Sequence, residues 1–178
     1  MHTEHHLRDE FYNAITHGLG ALLSIIGGIV LITLAAIYGN QWQLISAVIY
    51  SISLVGLYGA STLYHSTHEP IAKRRYKVLD HCMIYVLIAG SYTPFTLIAM
   101  RDDGGWWLFG ISWSMALAGI VFKLFFTGRF ELVSTLLYLG MGWMMLFAAG
   151  PMLRNIGTAE LAWLGIGGFF YSFGTIFY

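Results

Sequence analysis

The sequence predicts an all-α fold, a polytopic transmembrane helical bundle with six spans. Composition is the first reason. Of 178 residues, 57% are hydrophobic and only 10% are charged, whereas a soluble domain carries about 25% charged residues. The second is that stretches of the length needed to cross the hydrocarbon core, about 20 mostly apolar residues, recur six times. The third is that short polar connectors such as "GNQ", "RDDGG" and "PMLRNIG" separate these stretches.

In order, the expected spans are Thr16–Tyr38, Trp42–Tyr64, Val78–Met100, Gly105–Phe126, Glu131–Gly150 and Ala159–Tyr178. Residues 1–15 read as a cytoplasmic N-terminal segment and residues 16–178 as a single transmembrane helical domain. No linker, low-complexity tract or internal repeat interrupts it. The first apolar stretch is too long for a cleavable signal-peptide core. Glu10, Asn13, His17, Gly20, Ser24 and Gly27 recur at spacings of three and four, so this stripe of the first helix is expected to face the bundle interior. Pro94 removes a backbone donor and crowds the carbonyl of Gly90, which predicts a kink in the third helix.

Lys and Arg set the orientation. With the N-terminus in the cytoplasm, the inner side receives Arg8, Lys73, Arg74, Arg75, Lys77, Lys123 and Arg129, and the outer side only Arg101 and Arg154. Trp42, Trp106, Trp107 and Trp163 fall near the outer boundaries, at headgroup level. A formal net charge of zero gives no footprint for nucleic acid. A single cysteine, Cys82, excludes an intrachain disulfide and a CxxC metal knuckle.

Titratable groups gather at the inner ends of three helices. Glu10, Asn13 and His17 stand at the entry of the first, Ser61, His65 and His68 at the exit of the second, and Asp80 and His81 at the entry of the third. Ionisable residues at such positions usually face a partner or a water-filled cavity. Ser61 and His65, four residues apart, share a helix face. A neutral imidazole is a common zinc ligand, often combined with a carboxylate or water. Asp80 then binds a metal, orients a metal-bound water, or simply complements the helix dipole. His65 has the alternative of a headgroup-level residue, His68 of a loop residue and His81 of a structural hydrogen bond. His2, His5 and His6 read as a solvated tail.

"EFYNAITHGLGALLS", "YGASTLYHS" and "LDHCMIYVLIAGSYTPF" strongly resemble the hemolysin III family. That family belongs to the progestin and adipoQ receptor (PAQR) group and is distantly similar to alkaline ceramidases. The resemblance implies a seven-helix membrane protein with zinc near the cytoplasmic face. In the receptor relatives the zinc is held by one second-helix histidine and by two from a seventh-helix HxxxH motif. It maps the second-helix ligand onto His65, the serine one turn earlier onto Ser61, and the aspartate that contacts the zinc-bound water onto Asp80. Glu10, Asn13 and His17 match the N-terminal signature, where, with His81, a supporting or packing role is expected.

All seven histidines precede residue 82, so HxxxH is absent, and the sequence stops at "GGFFYSFGTIFY" within an apolar stretch. The expectation is that a seventh helix lies beyond this sequence, leaving the zinc site incomplete within it. The activity implied is a zinc-dependent hydrolase of a lipid amide, with Asp80 as base, Ser61 as oxyanion donor, and a membrane lipid or other acyl lipid as substrate. The location implied is the bacterial inner membrane. Two other classes stay open: a pore-forming cytolysin, and a receptor or sensor with structural zinc.

Overall fold

A computed structural model describes residues 2–175, with side chains described from residue 7 onward. The described residues are helical almost throughout and include no strand. Helix α1 runs over His2–Tyr38, so helix begins well before Thr16. No glycine or proline occurs before Gly18, and the Glu-, Arg- and Leu-containing start favours helix. Gly39 ends it. Asn40 then caps α2 (Gln41–Ser66), its Oδ1 accepting from the Trp42 and Gln43 N–H groups at 2.9 and 3.1 Å while Gln43 Oε1 accepts from Asn40 N–H at 2.8 Å. This reciprocal capping box makes the two-residue reversal possible.

Helix α3 (Pro70–Pro94) starts with proline, whose missing N–H costs nothing there. Glu69 caps it, accepting from Ile71 and Ala72 N–H. Those two donors hold the Glu69 carboxyl below its ordinary range. Directly after Pro94 the chain becomes π-helical over Phe95–Ala99, so the expected disturbance takes the form of a change in helix type. A second π-helical turn, Arg101–Gly105, reverses through Gly104 at φ 85°. Helix α4 (Trp106–Phe126) follows. A turn with Gly128 and Phe130 in the left-handed region leads to α5 (Glu131–Trp143). A 3-10 segment, Met144–Ala148, joins it to α6 (Ala149–Asn155), just before Pro151, which cannot donate to the carbonyl of Phe147. Helix α7 covers Thr158–Gly174.

Among the described residues, five helices are long and apolar enough to cross a membrane: Leu7–Tyr38, Gln41–Ser66, Pro70–Ala99, Arg101–Phe126 and Glu131–Asn155. The sixth expected span, 159–178, is represented by the 17 residues of α7, short of that length, and its last three residues lie outside the described ones. Large apolar side chains, Leu22, Ile29, Leu117 and Phe125 among them, are exposed along the rods. That is the surface a hydrocarbon solvent requires.

Helix α3 is central. It packs between α2 and α4, while α1 lies chiefly along α2. Tyr85, Ile88, Ala89 and Tyr92 of α3 meet Leu108 and Ala116 of α4 and Tyr138, Met141, Met144 and Met145. The contact with α4 needs Gly119, because a Cβ there would come within 2.3 Å of the Tyr85 ring. The Tyr92 hydroxyl lies 2.7 Å from Met141 O and 2.8 Å from Gly142 O and accepts from Met145 N–H at 3.0 Å. It thereby satisfies backbone groups released where α5 gives way to 3-10 geometry. Tyr92→Phe leaves them unmet in a buried site, which costs about 1–3 kcal/mol. The expected readout is a lower thermal midpoint in detergent, and an unchanged midpoint would contradict this role.

Candidate functional site: a polar cluster at the basic end

Helices α1 and α3 begin, and α2 ends, at the end of the bundle that carries Lys73, Arg74, Arg75 and Lys77. Trp42 and Trp106 mark the other end, their rings 5.3 Å apart with Arg101 over Trp42. There Arg154 and Asn155 donate to Asp103 at 2.8 and 3.2 Å.

At the basic end, one face of α1 lines up Glu10, His17, Ser24 and Gly28. Steps of seven and four residues keep these close to one line on a 3.6-residue helix. Glu10 Oε2 accepts from Lys73 Nζ at 2.7 Å and lies 3.1 Å from His65 Nδ1, so one carboxylate joins α1, α2 and α3. Lys73 Nζ also donates to the carbonyls of Tyr64 and Thr67, and sits 4.7 Å from the Tyr64 ring centre. The α3 helix dipole places positive potential where Lys73 stands, and Glu10 offsets it.

Deeper in, His17 Nδ1 lies 2.6 Å from Ser61 Oγ, and Asp80 stands beside Ser61, within electrostatic reach of His17 and His65. Ser61 is buried, while His17, His65 and Asp80 are half-buried. The His17 and His65 rings meet edge-on, 5.5 Å apart. A serine hydroxyl has one proton and an ionised carboxylate has none to give. With Asp80 ionised, Ser61 therefore donates to Asp80 and accepts from His17 Nδ1–H. By the same argument His65 Nδ1–H donates to Glu10. Both neutral imidazoles then carry their lone pair on Nε2. A histidine so oriented by a carboxylate is the arrangement metal-binding and proton-accepting imidazoles use.

The sequence stripe is thus brought together at Glu10, His17, Ser61, His65 and Asp80. Three other residues stand apart. Asn13 and His68 are exposed; three residues on from Glu10, Asn13 is rotated about 60° from the Glu10–His17 line. His81 is buried on a different face of α3 from Asp80, because consecutive helix residues are turned about 100°. It faces Lys123, Glu131 and Lys77 electrostatically, and its carbonyl accepts from Tyr138 Oη at 3.2 Å. Sequence reasoning missed two partnerships. Lys73, read as an orientation signal, belongs to the cluster. Lys123, read the same way, is fully buried and paired with Glu131 at 3.2 Å; its position within an apolar helix was the available signal.

As a zinc site the cluster fits in donor type, with imidazole nitrogens and a carboxylate, but not in number. Among the described residues no three His, Cys, Asp or Glu side chains converge closely enough to hold a metal ion. Removing Glu10 tests the cluster's architecture. The side chains of Glu10 and Lys73 are 13% and 27% exposed, so Glu10→Gln should destabilise by about 1–3 kcal/mol. In a double-mutant cycle with Lys73→Met the coupling should reach about 1 kcal/mol or more. Additive effects in thermal unfolding would contradict the pairing.

The haemolysin-III related family profile matches residues 5–178. The chain is 48% identical over 172 residues to the hemolysin-3 homolog of Bacillus subtilis, covering 97% of this chain and 81% of that protein. It is 44% identical to hemolysin-3 of Bacillus cereus, covering 97% and 78%. It is 27% identical to the human monocyte to macrophage differentiation factor, a PAQR-family protein, covering 93% and 69%. No solved structure matches the chain. With its membrane-spanning helices and a match along nearly its whole length, the chain belongs to the haemolysin-III related family of multi-pass membrane proteins.

Proposed function

We propose that this protein resides in the bacterial inner membrane with its N-terminus in the cytoplasm, and that the cluster at its basic end hydrolyses an acyl lipid, an amide being the favoured bond. The observation that carries the reading is the linked set His17–Ser61–Asp80 beside Glu10–His65. It supplies a carboxylate and two lone-pair nitrogens at the end of the bundle where, in this orientation, a lipid would present its polar linkage. The concentration of cations at that end supports the orientation.

In this reading Asp80 orients a water and takes its proton as the water oxygen adds to the lipid carbonyl carbon. Ser61 is then released. Once Asp80 is protonated it no longer needs the Ser61 proton, and the hydroxyl can turn towards the negative oxygen that develops. The proton taken by Asp80 then passes to the amide nitrogen, with the His17 Nε2 lone pair as relay, as the C–N bond breaks and the fatty acid and the amine separate. Zinc belongs to the proposal as cofactor: His65 Nε2 would be one ligand, the described residues do not supply a full set, and the ion when bound would supply a Lewis acid and an acidified water.

The test combines metal content and turnover. Purified protein should carry zinc that His65→Ala loses, and should release fatty acid from an N-acyl lipid. Asp80→Asn should lower kcat by about 10²-fold or more while leaving the thermal midpoint close to wild type. Turnover unchanged in Asp80→Asn overturns the assignment. Zinc retained without turnover, with unfolding on His65→Ala, would replace it by a structural-zinc receptor. Size-limited leakage from vesicles without hydrolysis would replace it by the cytolysin that the name of the Bacillus cereus relative indicates for that protein.

A further inference from the structure

A groove of about 490 Å³ runs along the α1–α2 seam, lined by Gly20, Ser24, Gly27 and Gly28 of α1 and by Tyr50, Ser51 and Tyr58 of α2. Its shape depends on the glycines. A Cβ on Gly20 would lie 2.7 Å from the Tyr58 ring, and one on Gly28 would lie 3.0 Å from Ser51 Cβ. Gly27 instead faces open space. At one end the groove adjoins the polar cluster, because Tyr58 also meets the His17 ring edge-on at 6.0 Å. From Gly20 to Leu31, which also lines it, the groove extends roughly 16 Å along the helix axis.

Ser51 adds a chemical requirement. It is 5% exposed, and its Oγ has no hydrogen-bond partner among the described residues. Serines in apolar helices usually bond back to a carbonyl one turn earlier, as Ser24 does to Gly20 O at 2.6 Å. Ser51 does not. Its Oγ is covered by α1 at Gly28, so a turn about χ1 is what brings it to the groove, where a ligand oxygen would recover the free energy that an unmet buried hydroxyl costs. Ser51 lies ten residues from Ser61 on the same helix, roughly 15 Å along its axis.

We infer that the α1–α2 groove binds one extended acyl chain bearing a hydroxyl part-way along it, with the chain's polar end at the His17–Ser61–Asp80 cluster and its hydroxyl at Ser51. The groove's volume of about 490 Å³ over roughly 16 Å of helix suits a single chain, and its continuity with the cluster through Tyr58 fixes which end is polar. The placement of the polar end rests on the cluster being the reacting site proposed above. The chain track and the Ser51 contact do not.

Equilibrium binding to the purified protein in detergent tests this, with 12-hydroxyoctadecanoic acid and octadecanoic acid as probes. Extended, the first places its hydroxyl at about the Ser51–Ser61 separation from its carboxyl group. Wild type should bind the hydroxylated acid about tenfold more tightly. Ser51→Ala should reduce that preference to near unity by weakening only the hydroxylated acid. Gly27→Leu, whose side chain enters open space, should weaken both acids about tenfold with an unchanged thermal midpoint. Equal affinities in wild type, or a preference that survives Ser51→Ala, would overturn the inference, as would full binding in Gly27→Leu. Asp80→Asn separates the two proposals. If chain selectivity persists while no variant or wild type turns over an N-acyl lipid, the hydrolase reading fails and the groove assignment stands.

Discussion

The arrangement of the basic end depends on one carboxylate. Glu10 holds Lys73 and His65 at once, and these residues come from three helices and are separated from it by more than fifty positions in sequence. In a bundle where most of α1 faces outward, this contact fixes the depth and rotation of α1 against α2. The rotation places His17 beside Ser61, with Asp80 next to Ser61. Shape alone would specify the register weakly, because aliphatic surfaces slide against one another and against lipid at little cost. A polar contact in an apolar solvent is more exacting, since every alternative register leaves a charge without its partner.

Helix α3 divides the polar groups into two sets. Asp80 faces the α1–α2 side and the adjacent His81 faces α4 and α5, where Lys123 pairs with Glu131. The two sets lie at one level yet differ in character. The first contains exchangeable protons, hydroxyl and imidazole, next to the α1–α2 groove. The second holds a fully buried ammonium beside a turn with two residues in the left-handed region, which suits it to fixing the α4–α5 connection.

Much of this was legible in the sequence because the membrane imposes simple rules. Apolar length located the helices, and the clustering of Glu10, His17, Ser61, His65 and Asp80 at successive helix ends predicted a shared depth. What the sequence hid was rotation. Asn13 belongs to the same three-and-four spacing as Glu10 and His17 but falls off the line they define, and His81 differs from Asp80 by one residue and by the side of the helix it occupies. Lys73 and Lys123 were legible only as positive charge, because their partners, Glu10 and Glu131, depend on tertiary placement. The change of helix type after Pro94 and the 3-10 segment before Pro151 follow from missing backbone donors, but which irregular geometry results depends on neighbours such as Tyr92.

The central claim is that Glu10 and the Ser61–Asp80 pair orient two neutral imidazoles so that each presents its Nε2 lone pair to the site. Nitrogen-15 NMR of histidine-labelled protein in lipid, without added metal and at a pH high enough to leave both rings neutral, measures this directly. With resonances assigned by single His17→Gln and His65→Gln variants, the account predicts a protonated Nδ1 and an unprotonated Nε2 for both residues. A proton on Nε2 of either ring, with Nδ1 bare, would contradict it.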